Sequence, residues 1–289
     1  MTVEAVFDPR ASRPGTPGRL ALKLTPRPRA GRLRLVGVDA ARLLLPLVLL
    51  AVWQGACSFG LINPRTLESP VAVVQALVEL TVSGVLWDSL VASFKRASAG
   101  FLLGGGLGLA LGVMAGLSRA GERAYDALLQ MLRMVPFLAV IPLFVIWFGV
   151  DEEPKILLIA LACIFPVYLN TFSGVRNVDP KILEAATVFG MGRAAIATQI
   201  VAPLALPSIM VGVRYSMGVA LLSLVAAEQV NATSGIGYLA LNPRASLRTD
   251  IILGVVLLYS VLGLLVDVLI RTVQDRLLPW HRTILQKAR

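Results

Sequence analysis

The chain has 289 residues, of which 56% are hydrophobic and only 15% charged, and its mean hydropathy is +0.77. A soluble domain carries roughly 25% charged residues, so this composition excludes a soluble enzyme, a disordered protein and a disulfide scaffold. The net charge of +10 raises nucleic acid as a partner. Apart from Phe7 and Trp280, however, no aromatic residue interleaves the basic residues of the two ends, and nucleic-acid binding is set aside.

Residues 1–38 hold five prolines and eight of the 27 basic residues, with no long apolar run. They lack the apolar core of a secretory signal and read as a disordered basic cytoplasmic tail, able to lie on anionic headgroups. A membrane domain is expected over 39–282, followed by a short cytoplasmic tail at 283–289. A transmembrane helix needs about 20 predominantly apolar residues. Leu43–Leu61 gives a first span. Ser69 and Pro70 open an amphipathic stretch, Val71–Val82, that is too short to span and is expected at the outer interface. Ala97–Leu117 is the second span, flanked by Lys95 and Arg96. Met134–Val150, lengthened at its start by Tyr125–Leu132, is the third, and Ile156–Val175 the fourth. Leu204–Val230 is the fifth and Ile251–Ile270 the sixth.

Six spans put both termini on one side. With the termini inside, the inner segments carry nine basic residues in 1–42, five in 271–289, and Arg119, Arg123, Arg176, Lys181 and Arg193 between them. The outer loops carry Glu68, Asp151, Glu152, Glu153 and Asp250, with Arg65, Lys155, Arg244 and Arg248. Positive charge collects on the cytoplasmic side of membrane proteins, so this asymmetry sets the orientation.

Two patterns mark the spans themselves. Gly100, Gly104, Gly108, Gly112 and Gly116 recur every four residues in the second. A helix drifts only about 40° per four-residue step, so these glycines share a smooth face that invites close approach of another helix. Lining a pore is the alternative role. The third span contains Pro136 and Pro142, and the fourth Pro166. Proline frees a carbonyl and kinks a helix, which marks either a pathway or a packing kink. Cys57 and Cys163 lie in apolar runs and read as small packing residues. The single His281 rules out a histidine metal site or a Ser-His-Asp triad within the membrane.

The inner loop 174–203 is the most informative segment. Asp179 suits an N-cap and Pro180 the first helical position, with helix formers over Lys181–Phe189. Gly190 is placed to end that helix in a left-handed turn, and Gly192 reopens the chain into a second short helix, Arg193–Val201. Pro203 and Pro207 then bracket the start of the fifth span. A helix, glycine turn and helix on the cytoplasmic face suits docking to a partner; an interfacial helix without one is the plainer alternative.

These residues resemble a known family. Glu184-Ala185-Ala186, Gly190, and then Ile200 and Pro203 after nine intervening residues match the EAA signature of ABC importer permease subunits. Ala202 stands where the family usually has Leu. Trp147-Phe148-Gly149, Phe165–Asn170, Gly174-Val175-Arg176, Leu206–Ile209, Val225–Glu228 and Gly235–Tyr238 resemble the nitrate, sulfonate and taurine branch. The resemblance covers about residues 40–282. It implies the MetI-like, type I importer fold, an all-α membrane protein of six transmembrane helices in the plasma membrane of a prokaryote. It also implies a homodimer with a second permease copy, two ATPase subunits that bind ATP and Mg, and an extracytoplasmic binding protein. The segment with Glu184, Ala185, Ala186, Gly190 and Gly192 would be the coupling helix and its turn. No Gly-Lys dipeptide occurs, so the chain carries no Walker A phosphate loop, and no cofactor is expected on it.

Charges at membrane depth are functional candidates by default. Arg133 is expected to snorkel to the inner surface, and Asp267 and Arg271 to pair across one helical turn. Lys95 and Arg96 read as interfacial anchors or as part of an electropositive outer mouth. Arg214 and Glu228 lie 14 residues, about 21 Å, apart on one helix and cannot touch; with Pro136 and Pro142 they are the pathway candidates. An importer of a small anion, led by sulfonate or taurine with nitrate, bicarbonate or a vitamin precursor as alternatives, is the expected function. A stand-alone transporter or channel would need repeats or a chain of intramembrane charges.

Overall fold

The computed structural model describes residues 2–6, 21–25, 40–63, 66–230, 232–241 and 248–278. The expected tails at 1–38 and 283–289 lie largely or wholly outside the described residues. The chain divides into two compact units, Met1–Ala51 and Val52–Arg289. In the first, β1 (Thr2–Val6) pairs antiparallel with β2 (Ala21–Thr25), with Thr2 opposite Thr25 and Glu4 opposite Lys23. The division falls inside α1 (Ala40–Ser58).

The other described residues form helices and the turns that join them. Ser69 caps α2 (Pro70–Val82) by accepting from the Ala72 N–H, and Gly84 (φ +80°) turns the chain into α3 (Val85–Leu117). A short α4 (Arg119–Gly121) and a π-turn (Glu122–Asp126) lead to α5 (Ala127–Leu132), then α6 (Phe137–Phe148) and α7 (Glu152–Arg176). They are followed by α8 (Pro180–Val188), α9 (Arg193–Ile196), a π-turn (Ala197–Val201) and α10 (Ala202–Gln229). The order closes with α11 (Ile236–Leu241) and α12 (Thr249–Leu277).

Among the described residues, four helical stretches are long and apolar enough to cross a membrane: Val85–Leu117, Glu152–Arg176, Arg193–Gln229 and Thr249–Leu277. Three expectations need correction. The second span begins at Val85 rather than Ala97, so Lys95 and Arg96 lie within a helix and not at its mouth. The third expected span is broken. The N–H groups of Arg133, Met134 and Val135 close a turn onto Leu129, Met131 and Leu132, and Pro136 becomes the N-cap of α6. Proline disfavours helical geometry at the residue before it and donates no N–H of its own, so α5 cannot run through it. The 12 residues of α6 reach about 18 Å, short of a hydrocarbon core of about 30 Å. Finally, the second inner helix is not separate. Arg193–Gln229 is continuous, and the π-turn at Ala197–Val201 carries the helix past Pro203.

The glycine stripe of α3 lies against α7. A Cβ on Gly104 would run into the Ala160 carbonyl, and one on Gly108 would come to 2.5 Å of the Ile164 carbonyl oxygen. Gly100, Gly112 and Gly116 would meet Ile159, Thr171 and Val175, each at 2.6 Å. On its other side α7 meets α10: Gly212 approaches Asn170 and Pro166, and Gly174 approaches Ser208. Between the three helices Ile159, Cys163, Ala220 and Leu224 are buried together. Tyr168 is fully buried and donates to Asp126 at 2.7 Å, which ties the π-turn after α3 to α7.

At the helix ends that the charge asymmetry assigns to the outer side, Ala76 of α2 packs with Ile236, Leu239, Ile251 and Val255. Arg248 joins Glu79 at 3.0 Å and Asp250 at 2.7 Å. The Arg248 guanidinium holds the Glu79 carboxyl below its ordinary range. That tie is therefore complete at neutral pH and is lost as pH falls below the carboxylate range.

Gly108→Leu should destabilise the protein by about 3 kcal/mol or more, because the obstacle is α7 backbone and not a movable side chain. Gly105→Ala should cost less than about 1 kcal/mol, since its Cβ would meet only the Phe101 ring at 3.6 Å. Thermal unfolding of the two variants in detergent measures the difference.

Candidate functional site

Two polar constructions stand out, one on the inner loop and one at the outer helix ends. On the inner loop, Asp179 accepts from the Lys181 N–H at 2.9 Å and Pro180 occupies the first turn of α8. Alternation of small and apolar residues then fixes which face turns inward. Ala186 is buried, and Leu183 packs with Val175, Val178, Val201 and Ala205 at the inner ends of α7 and α10. Glu184 and Ala185 face outward. The helix closes with paired bonds: Met191 N–H to the Ala186 carbonyl at 3.1 Å and Gly190 N–H to the Thr187 carbonyl at 3.0 Å. This is the Schellman arrangement, which needs a left-handed residue, and Gly190 has φ +79°. A Cβ there would meet nothing within 4 Å, so the demand for glycine is purely one of backbone conformation. Gly192 is extended and open, a geometry that any residue adopts. The turn also leaves Val188 and Phe189 86% exposed.

At the outer ends, Arg96 is 3% exposed in α3 and Glu228 is 1% exposed near the end of α10. They pair at 2.8 Å. The same guanidinium holds Glu152, in the first turn of α7, through Nε and through Nη2 at 2.7 Å. It also donates to the Ser234 carbonyl at 2.6 Å. The remaining acceptor capacity of Glu228 is used by the Ser93 hydroxyl at 2.7 Å and the Gly237 N–H at 2.8 Å, while Ser93 in turn accepts from the Ile236 N–H at 2.9 Å. Lys155 extends the cluster to Glu152 at 3.3 Å and to the Asp151 carbonyl at 2.9 Å. Every buried charge thus has an opposite partner, as burial requires. Gly235 (φ +123°) lies tightly against the pair; its Cβ would come to 2.5 Å of the Glu228 carboxyl carbon and 2.7 Å of Arg96.

These distances place the pathway candidates. Glu228 does not lie free in a passage; it pins the Ser234–Gly237 turn to α3. Arg214 pairs with Asp267 at 2.6 Å, and Asp267 also accepts from Arg271 at 2.7 Å. The expected Asp267–Arg271 pair is present and has Arg214 as a third member. Pro136 caps α6 and Pro142 lies exposed on it. Arg96 is neither a surface anchor nor part of an open electropositive mouth, because both of its edges are occupied by carboxylates. Its signal was available: position 96 precedes Gly100 by four residues and continues the stripe that faces α7.

Arg96→Met should cost about 3–5 kcal/mol, because it strands a buried carboxylate. Arg96→Met combined with Glu228→Met should recover part of that loss. A double-mutant cycle on unfolding in detergent gives the coupling, and strictly additive losses would show the pair to be unlinked.

The comparisons agree with this architecture. The model for the family described as binding-protein-dependent transport system inner membrane component matches residues 108–279. An aliphatic sulfonates transport permease protein, SsuC, of Escherichia coli is 48% identical over 82% of this chain and 90% of its own. The SsuC of Bacillus subtilis is 44% identical over 83% and 87%. The taurine transport system permease protein TauC of Escherichia coli is 36% identical over 81% and 87%. Among solved structures, the inward-facing MetNI methionine ABC transporter aligns with TM-score 0.53 at 18% identity, covering 68% of this chain and 95% of that one, which identifies the MetI-like fold. The chain belongs to the inner-membrane components of binding-protein-dependent transport systems and is a multi-pass permease subunit of an ABC importer.

Proposed function

We propose that this permease passes an aliphatic sulfonate, delivered by an extracytoplasmic binding protein, through a homodimer driven by two ATPase subunits that bind ATP and Mg. The observation that carries the mechanism is α8, a capped, Schellman-closed helix that presents Glu184, Ala185, Val188 and Phe189 to the outside of the chain. Adjacent exposed apolar side chains on a rigid support are what a groove in a partner can bury. Glu184 adds an exposed negative charge on the same helix. Sulfonate as cargo follows from the relatives at 44% and 48% identity, both named for aliphatic sulfonates.

Coupling then runs through two rigid contacts. Leu183 and Ala186 seat α8 on the inner ends of α7 and α10. A displacement of α8 by the ATPase would therefore reach both helices. The backbone contact of α7 with α3 would carry it outward. Nucleotide-driven movement at the inner face thus reaches the outer ends, where the binding protein would deliver its load.

Glu184→Lys and Gly190→Val should leave expression and membrane insertion near normal, since both sites are exposed. Each should reduce ATPase co-purification and sulfonate uptake on the order of tenfold, the loss expected for removing one docking contact. Gly190→Val does so through about 1–2 kcal/mol of left-handed strain. ATPase pull-down and uptake measured in the same vesicles decide it. Two variants that both bind and transport like the parent would remove α8 from the coupling role.

A further inference from the structure

Arg133 stands at the break between α5 and α6, and it differs from the other deep arginines. Arg96 and Arg214 are neutralised by carboxylates, whereas the exposed guanidinium of Arg133 has no ion-pair or hydrogen-bond partner among the described residues. It stands between α5 and α6, at the break in the third expected span. The whole of α6 lies between it and the Gly149–Asp151 connection to α7. Twelve residues of helix separate it from that end by about 18 Å, more than half of the hydrocarbon thickness. An unpaired charge at that depth is a functional site by default.

Arg133 also lines a cavity of 660 Å³ between α6, the middle of α7 and α10. That volume lies in the range of sites for small organic ligands. Its walls are apolar, with Phe137, Phe144, Trp147 and Phe165 prominent, and Arg133 and Ser223 are its hydrophilic side chains. This half-open cavity therefore pairs one exposed positive charge with a long apolar wall.

We infer that this cavity is the membrane-embedded seat of the cargo: a sulfonate group on the Arg133 guanidinium, with its alkyl chain against the aromatic wall. Two sulfonate oxygens match the two parallel N–H donors of a guanidinium, and a sulfonate stays ionised at any physiological pH. The apolar wall replaces water around the alkyl chain at roughly 25 cal/mol per Å² of surface. An inorganic anion would use the charge and leave the wall bare. The inference rests on the sulfonate reading above and adds where the cargo sits and what selects it.

The test uses the assembled importer in proteoliposomes with its binding protein, and compares uptake of ethanesulfonate and octanesulfonate. Arg133→Gln should lower the saturated uptake of both by about tenfold, while ATPase pull-down is unchanged and Arg133→Lys restores part of the rate. Ala162→Leu narrows the cavity away from the charge. It should lower the octanesulfonate-to-ethanesulfonate ratio by about fivefold or more. The ratio decides even where Arg133→Gln fails to assemble. An unchanged ratio, as a cavity filled by the second permease copy or by a lipid chain would give, overturns the assignment and leaves the sulfonate function standing. A parent importer that carries neither sulfonate overturns both.

Discussion

The contact between α3 and α7 is the constraint on which the other positions depend. Five glycines at four-residue spacing clear one face of α3, and α7 fills the space with its backbone at Gly104 and Gly108 and with the side chains of Ile159, Thr171 and Val175 at the other three. In a bilayer the hydrophobic effect gives little reason for two apolar helices to associate, so close packing must supply it. Close packing also sets register. Because Gly104 meets Ala160 and Gly116 meets Val175, sliding α7 by one residue would bring side chains of α7 against the wrong positions of α3. The same contact brings Glu152, at the start of α7, to Arg96, four residues before the first glycine. The ion cluster at the outer ends is thus a consequence of the helix contact.

That cluster does for the outer turn what the helix contact does for the spans. A turn such as Ser234–Gly237 has backbone groups with no helical partner, and burial without partners would be costly. Here the Ser234 carbonyl goes to Arg96, the Gly237 N–H to Glu228 and the Ile236 N–H to Ser93. Gly235 and Gly237 both lie too close to Glu228 for a side chain, a Cβ on Gly237 coming to 2.9 Å of the Glu228 Cβ. Buried ion pairs add little to stability when compared with apolar replacements, but they penalise misplacement strongly. The outer turn is held by specificity of partners more than by net energy.

The parts legible in the sequence were those governed by neighbouring residues. The Asp179-Pro180 start and the Gly190 stop of α8 are local rules, and the structure shows both. The glycine spacing likewise announces a flat helix face, although not which helix covers it. The illegible parts needed a second element. Arg96 looked like a boundary charge because hydropathy cannot see that α3 begins twelve residues earlier, or that two carboxylates from α7 and α10 converge on it. Hydropathy also joined Tyr125–Val150 into one span, since Met134, Val135 and Pro136 are all apolar and the proline break interrupts hydrogen bonding without interrupting apolarity.

The two ends of the molecule differ in how their polar groups are satisfied. At the outer end the charges of Arg96, Glu152, Glu228 and Lys155 are answered within the chain, so the cluster has little left to offer a partner. At the inner end α8 keeps Glu184 exposed and leaves Val188 and Phe189 almost fully exposed on a helix stiffened at both caps. A rigid helix with unsatisfied surface can transmit force, because bound energy at its face cannot be lost by melting its ends. Its seat on Val175, Val178, Val201 and Ala205 joins it to the two helices that flank the deep cavity. Between a closed cluster at one end and an open helix at the other, the broken third span leaves the Arg133 side chain without a partner among the described residues, on the wall of that cavity.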